Sequence, residues 1–364
     1  MLLMPLVLVA MSWPPHLEAP SSAELCGRCH RAILAAWKTS AHAQAMESPL
    51  FQDALDVAET KFGASARRIC LKCHAPVAVE KGDLNLRQKV SWEGVTCDYC
   101  HSITSVSLTG PNPKAVVEFS MIKSGPIKDA ESSAHGTQFS EVHTSADLCA
   151  TCHEYRNSLG FPVLTTYSEW KNSRYAKEGK ACQSCHMYRT AGDVVDPRVK
   201  RTSVAINLHQ MPGGHSLDQL LKTIAAQLST SRQGDQLHVQ VDITNRAAGH
   251  YVPTGSPLRQ LILEVRADSF DGRRFEEKRV YRRTVADQRG ETLTQEHLAF
   301  LTAAKVVSDT RLAPDEKRIE SFTFAIPAKT KARVSATLRY FYSPFAQTEA
   351  QKMVTFLNMS QMVQ

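Results

Sequence analysis

With 364 residues, 43% of them hydrophobic and only 7% aromatic, the chain is long enough for one or two domains, each with a core of its own. Its 43 Lys and Arg against 36 Asp and Glu leave a net charge of +7, yet no basic run or nucleic-acid motif accompanies the excess, which argues against a nucleic-acid partner. Beyond residues 2–11 no stretch reads as a transmembrane helix.

The chain opens on an apolar run, Leu2 to Met11, of signal-peptide length and too short to span a bilayer. Small residues suited to cleavage follow at Ala10-Met11-Ser12 and at Ser21-Ser22-Ala23, although no Lys or Arg precedes the run. Residues 1–23 are therefore expected to be an export signal, which puts the mature chain in the periplasm or another extracytoplasmic space.

From Glu24 to Met187 one pattern recurs five times: Cys26-Gly27-Arg28-Cys29-His30, Cys70-Leu71-Lys72-Cys73-His74, Cys97-Asp98-Tyr99-Cys100-His101, Cys149-Ala150-Thr151-Cys152-His153 and Cys182-Gln183-Ser184-Cys185-His186. All ten cysteines fall in these pairs, and a histidine follows every pair. Histidine is 14 of 364 residues, so chance supplies each such neighbour about 4% of the time and all five essentially never. Four-cysteine zinc sites consume pairs two at a time, and five pairs leave one over. C-x-x-C-H is the attachment signature of c-type haem: the thiols add across the two vinyl groups, and the adjacent imidazole becomes the proximal iron ligand. The pattern predicts five haem c groups, with His30, His74, His101, His153 and His186 as proximal ligands. Their propionates roughly offset the basic excess.

The first motif leads into Arg31–Trp37, a short helix by its pattern, and then into Trp37-Lys38-Thr39-Ser40-Ala41-His42-Ala43. The phrase returns before the fifth motif as Trp170-Lys171-Asn172-Ser173-Arg174-Tyr175-Ala176, an internal repeat in which tyrosine replaces histidine. Imidazole is the common sixth ligand of low-spin haem, so His42 is a distal candidate; Tyr175 is expected to pack or hydrogen-bond near a haem. Only 22 residues separate His74 from Cys97, which makes the second and third haems near neighbours. Ser102 to Asp147 is long, rich in Ser, Gly and Pro, and weakly periodic, as befits a segment organised by a cofactor. Its His135 and His143 are either further distal ligands or ordinary solvated histidines.

After Met187 the cysteines stop. Asn207 to His215, broken by Pro212, Gly213 and Gly214, reads as a hinge. Ser216 to Ser229 fits a short amphipathic helix or a strand. From Leu237 the period changes to two: Leu237, Val239, Val241 and Ile243 alternate with polar residues, a half-buried strand with His238 on its polar face. Further strands are expected at Gln260–Ala267, Lys278–Thr284, Glu320–Ile326 and Arg333–Tyr342, with Asp271-Gly272 as a hairpin turn. The fold class is thus α+β in two domains. Residues 24–215 form a mainly helical and irregular domain packed on haem, and residues 216–364 an antiparallel β-sandwich of immunoglobulin-like type. For the tail after Ala346 a helix is the expectation. One loop stands out, Ala248-Gly249-His250-Tyr251-Val252-Pro253-Thr254-Gly255, whose histidine either faces water or is carried onto a haem and staples the two halves together.

The five motifs, the W-x-x-S-x-H phrase, the stretch from Thr166-Tyr167-Ser168-Glu169-Trp170 to Met187 and the G-H-x-x-P-T-G loop together make the chain resemble the bacterial cytochrome c-554-like multihaem cytochromes over about residues 24 to 345. The resemblance implies an exported electron carrier with haems stacked in pairs and mostly bis-histidine iron. By position it implies distal ligands drawn from His42, His135, His143, His209, His215 and His250, six candidates for five irons with one spare. Tyr175 departs from the histidine of the first repeat and leaves the ligation of one haem open.

Two functions follow. In the first, every iron is six-coordinate and the chain passes electrons between redox partner proteins, either other cytochromes or a membrane quinol-linked complex. Met46, Met187 and Met211 lie near the motifs and would allow a histidine/methionine site. The alternative is a haem-dependent oxidoreductase of a small nitrogen or sulfur compound, using one haem with an open distal position near Tyr175. The β-domain is further expected to be a docking surface for an oligomer or a membrane complex.

Overall fold

The computed structural model describes residues 20–195, 204–342 and 353–364. The expected export signal at Leu2–Met11 lies outside them.

The first half is built from short helices that carry or flank the motifs. They are α1 (Ala23–Gly27), α2 (Arg31–Lys38), α3 (Pro49–Phe62), α4 (Ala64–His74), α5 (Pro76–Glu80), α6 (Cys97–His101), α7 (Asp147–His153), α8 (Thr166–Lys171), α9 (Arg174–Lys177) and α10 (Cys182–His186). A single helical turn is the geometry that C-x-x-C-H requires, since positions i, i+3 and i+4 share one face. Between these helices lie four two-stranded sheets: β1 (Ile103–Ser107) with β2 (Lys114–Val117), β3 (Ile122–Gly125) with β4 (Gly136–Phe139), β5 (Glu154–Arg156) with β6 (Pro162–Thr165), and β7 (Arg189–Gly192) with β8 (Val204–Asn207). The second and third of these occupy the stretch of weak period and the run after the fourth motif. Apolar contacts here are small and local: Met46, Leu55, Leu71, Ala75, Ala78 and Leu86 make one patch, and Val77, Tyr99 and Ile103 another.

The second half begins with α11 (Leu217–Thr223) and β9 (Ile224–Gln233), so the ambiguous stretch after Ser216 is a helix followed by a strand. Seven long strands form two antiparallel sheets. One has the order β15–β10–β9, with β10 at Gln236–Asn245 and β15 at Lys317–Ala325. The other runs β12–β11–β16–β17, with β11 at Gln260–Ser269, β12 at Arg274–Tyr281, β16 at Ala332–Phe341 and β17 at Met353–Val363. Leu237, Val239, Val241 and Ile243 are fully buried and face Leu261, Leu263 and Val265 with Val334, Ala336 and Leu338 across the sandwich. His238 is on the outer face, its Nδ1 3.1 Å from Thr323 Oγ1. Gly272 turns the β11–β12 hairpin at φ +92°.

Two expectations change. The tail is a strand: β17 pairs along β16, and a bulge at Phe356, between the Leu338↔Leu357 and Arg339↔Thr355 pairs, breaks the two-residue alternation that would have marked it in sequence. Between β12 and β15 the chain also leaves the sandwich as an arm of β13 (Arg283–Ala286), α12 (Glu296–Thr302) and β14 (Lys305–Asp309). This arm reaches the first half, where Val285, Leu293, Ala299 and Ala303 pack with Phe161 and Val163. Arg283 Nη2 donates to the Pro162 carbonyl at 2.9 Å, and Asn157 Nδ2 donates to that of Ala303 at 2.7 Å. Among the described residues no helix is long and apolar enough to cross a membrane.

Candidate haem centres

All ten motif cysteines are free thiols lining one continuous cavity of about 3240 Å³ or bordering it; nine are half-buried and Cys29 is exposed. A pocket for a single small ligand encloses about 300–1,000 Å³, so this void has room for several large groups at once. Its existence explains the thin apolar packing of the first half, where the motif helices surround space rather than one another. Among the described residues no three His, Cys, Asp or Glu side chains converge as a metal-ion site. Sulfur contacts set the motifs side by side: Cys26 with Cys97, Cys73 with Cys152, and Cys149 with Cys182. The first motif thus adjoins the third, and the fourth adjoins the second and the fifth. The second and third motifs, expected as neighbours from their short spacing, are joined through Tyr99, whose hydroxyl feels both Cys73 and Cys100.

The imidazoles provide the sharper test of fit. With about 2 Å for a metal–nitrogen bond and about 1.1 Å from nitrogen to ring centre, two imidazoles on opposite sides of one metal have centres roughly 6.2 Å apart. Four motif histidines have a partner at that spacing: His30 with His135 at 6.2 Å, His153 with His42 at 6.2 Å, His101 with His209 at 6.3 Å and His186 with His250 at 6.3 Å. The second ring nitrogen is tied down in most of them. Nδ1 lies 2.5 Å from the Val194 carbonyl in His30, 2.6 Å from Ser124 in His101 and 2.6 Å from Pro212 in His186. In the partners it meets Gly136 at 2.8 Å in His135, Asn207 at 2.8 Å in His209 and Tyr251 at 2.9 Å in His250. A donated Nδ1–H fixes the ring and leaves the Nε2 lone pair free, the arrangement of a metal-ligating histidine. His42 does the same with sulfur, Nδ1 lying 2.9 Å from Met211 Sδ. Burial holds His42 and His209 down to about 4 and His153 to about 3, so these rings are neutral and able to donate a lone pair.

Backbone constraints deliver the partners. His42 follows the turn that ends α2, where Trp37 Nε1 donates to the Val95 carbonyl at 3.0 Å. Gly94, at φ +67°, lies so close to the His42 carbonyl that a Cβ would sit 2.2 Å from its oxygen. His250 is brought in by the loop from the sandwich. Its neighbour Gly249 presses on the second copy of the repeat, where a Cβ would meet Trp170 at 3.1 Å and Ser173 and Tyr175 at 3.3 Å. The loop is clamped by Glu169, whose carboxylate accepts from Tyr251 N at 3.1 Å, Thr254 Oγ1 at 2.7 Å, Thr165 Oγ1 at 2.7 Å and Arg311 Nη1 at 2.8 Å. Burial raises the Glu169 carboxyl, but Arg311 and the two threonine hydroxyls outweigh it and leave the group below its ordinary value.

Three of the candidate residues have other neighbours. His143 is 5.4 Å from His101, nearly parallel to it, and its Nε2 is bonded to the Cys100 carbonyl at 2.9 Å, so it lies beside the motif rather than across from it. His215 stacks 4.1 Å from Tyr342 and faces no motif histidine. Among the described residues the ring neighbour of His74 is Phe51, stacked at 3.8 Å and 9°. Tyr175 is not at that place. Its hydroxyl donates to the Arg246 carbonyl at 3.2 Å, and Arg174 covers its ring. Met46 is buried in the apolar patch beside α3 and α4, and Met211 serves His42. Sequence reasoning missed Phe51 and the α12 arm, for which no motif gave a signal.

Residues 25–102 match the family profile of cytochrome c554 and c-prime. Among solved structures the chain is similar to a penta-heme cytochrome c552 from Thermochromatium tepidum, at 24% identity and a TM-score of 0.75, covering 96% of this chain and 100% of that one. The putative ApaA protein from Bordetella pertussis overlaps 38% of this chain and 89% of its own at 13% identity, with a TM-score of 0.20 that carries no argument. No curated protein matches. The multihaem c-type cytochrome resemblance drawn from the motifs is borne out by the profile over residues 25–102, and the expected α+β fold, a helical first half with a C-terminal β-domain, by the likeness to the solved structure.

Proposed function

We propose that the chain is an exported multihaem c-type cytochrome that carries electrons between redox partner proteins through five covalently attached haems, four of them held by two histidines. The observation that carries the reading is the set of four imidazole pairs at 6.2–6.3 Å, each with one member in a C-x-x-C-H motif. Bound in this cavity, the haems supply one-electron redox chemistry at iron. The chain does the rest. The thiols would fix each ring to a helical turn, Nδ1–carbonyl bonds orient the imidazoles, and sulfur contacts set neighbouring motifs side by side. The His250 loop makes the β-domain part of the fifth centre, which supports the β-domain as a rigid docking element for another cytochrome, a quinol-linked membrane complex or a second copy.

A specific observation favours a second reading at one motif. Among the described residues the ring neighbour of His74 is Phe51 and not an imidazole, which supports the second haem as the one with an open sixth position, where a small nitrogen or sulfur compound would react rather than near Tyr175. Mass spectrometry of the exported protein, together with a low-temperature EPR spin count, tests both readings. The expected result is five haems, four low-spin and one high-spin. A chain carrying unmodified cysteines overturns the first reading, and five low-spin haems that leave CO unbound in the ferrous state overturn the second.

A further inference from the structure

The arm that the sandwich sends toward the second motif includes α12, and its first turn carries a half-buried carboxylate, Glu296, whose two oxygens accept from Ser256 Oγ at 2.9 and 2.7 Å. Phe300, one turn further on the same face, stacks at 6.2 Å on Tyr155, and Tyr155 in turn feels both Cys70 and Cys73. His297 lies 6.4 Å from Phe62, and α12 packs against α3 next to α4. Glu296 thus lines the same cavity as the second motif, and the apolar side chains of Ala54, Ile69, Phe300 and Leu301 belong to the same lining. Such apolar walls admit a neutral molecule far more readily than an anion.

We propose that Glu296 is the proton-accepting residue of a binding site at the second haem for small weak acids HX, of which hydrogen cyanide and hydrogen sulfide are representatives. The proposal rests on the second reading above, an open sixth position at His74. HX enters neutral, gives its proton to a Glu296 carboxylate oxygen and remains as X⁻, the form a ferric centre takes; Glu–COO⁻ becomes Glu–COOH, and no electron moves. Ser256 is the positioning residue that aims the carboxylate. The charged group that acts on Glu296 is Arg259, whose field favours the carboxylate, while the next residue of α12, His297, feels Lys61 of α3. Burial raises the Glu296 carboxyl above its ordinary value, so the accepting form is lost at higher pH than in an exposed glutamate.

The test is the cyanide association rate of the ferric holoprotein between pH 4 and 8, read optically, with the high-spin content of each variant measured by EPR. In the wild type the rate should rise with pH through the Glu296 titration and then level off. Glu296→Gln should keep the high-spin haem, lose the rise and bind cyanide ten- to a hundredfold more slowly at pH 7. Ser256→Ala, which keeps the carboxylate and removes its donor, should move the break to higher pH and guards against a misfolded glutamine variant. Rates within twofold of wild type in Glu296→Gln, with the high-spin haem present, overturn the role of Glu296. A wild type without a high-spin haem and without cyanide binding overturns the open-position reading itself, and the proposal with it.

Discussion

The Glu169 clamp makes a quantitative claim about how firmly the sandwich holds the fifth centre. The Glu169 and Arg311 side chains are 5% and 8% exposed and meet at 2.8 Å, and the carboxylate serves four donors in all. Glu169→Gln preserves the shape but turns one acceptor oxygen into a donor that faces other donors, and it leaves Arg311 buried. Breaking a buried pair from one side costs about 3–5 kcal/mol. Arg311 keeps Asp309 at 2.8 Å, which points to the lower end, about 3 kcal/mol or roughly a hundredfold in the opening equilibrium of the loop. Hydrogen exchange reads this directly. The Val252 amide, bonded to the Leu312 carbonyl at 2.9 Å in both forms, should lose roughly a hundredfold of its protection at pH 7, while Val239 in β10 serves as the unaffected control. The sign of the pH dependence follows from the Glu169 carboxyl lying below its ordinary 4.5 when folded. Its stabilisation is complete above 4.5 and disappears as pH falls through the lower folded value, so wild type and variant should converge in stronger acid. Val252 exchange within threefold of wild type at pH 7 would refute the clamp.

His250→Ala and His42→Ala should each turn one low-spin haem high-spin, read by EPR and by the optical charge-transfer band; an unchanged spectrum removes that residue from the ligand set. His143→Leu and His215→Leu should leave the low-spin count intact, and loss of a low-spin haem in either would contradict the pairing drawn from ring distances. Gly249→Val should reproduce the His250→Ala spectrum, because its side chain collides with Trp170, Ser173 and Tyr175 and forces the loop outward at a cost of about 1–3 kcal/mol, measurable by denaturant titration.

What could be read from sequence divides along a physical line. Covalent chemistry writes itself into adjacent residues, so each C-x-x-C-H was legible alone, and the period-two runs of β10, β11 and β16 were legible because one face of each is dry. Distal histidines carry no such mark, since the partner of His30 is 105 positions away at His135 and reaches it only through the β3–β4 loop. The internal repeat shows why even a strong local clue misleads. In both copies Trp-Lys-x-Ser ends a helix with the same turn, the Ser40 and Ser173 amides donating to the Trp37 and Trp170 carbonyls. The phrase therefore encodes a turn, and the next residue but one is free to differ. In the first copy that position sends His42 toward His153. In the second, Tyr175 turns to the Arg246 carbonyl, and with Trp170 and Ser173 it seats Gly249, so the imidazole opposite His186 arrives from another domain. Tyrosine in place of histidine thus marks where the imidazole opposite the motif comes from another part of the chain. At the second motif the ring neighbour of His74 among the described residues is Phe51, and no phrase in the sequence announces it.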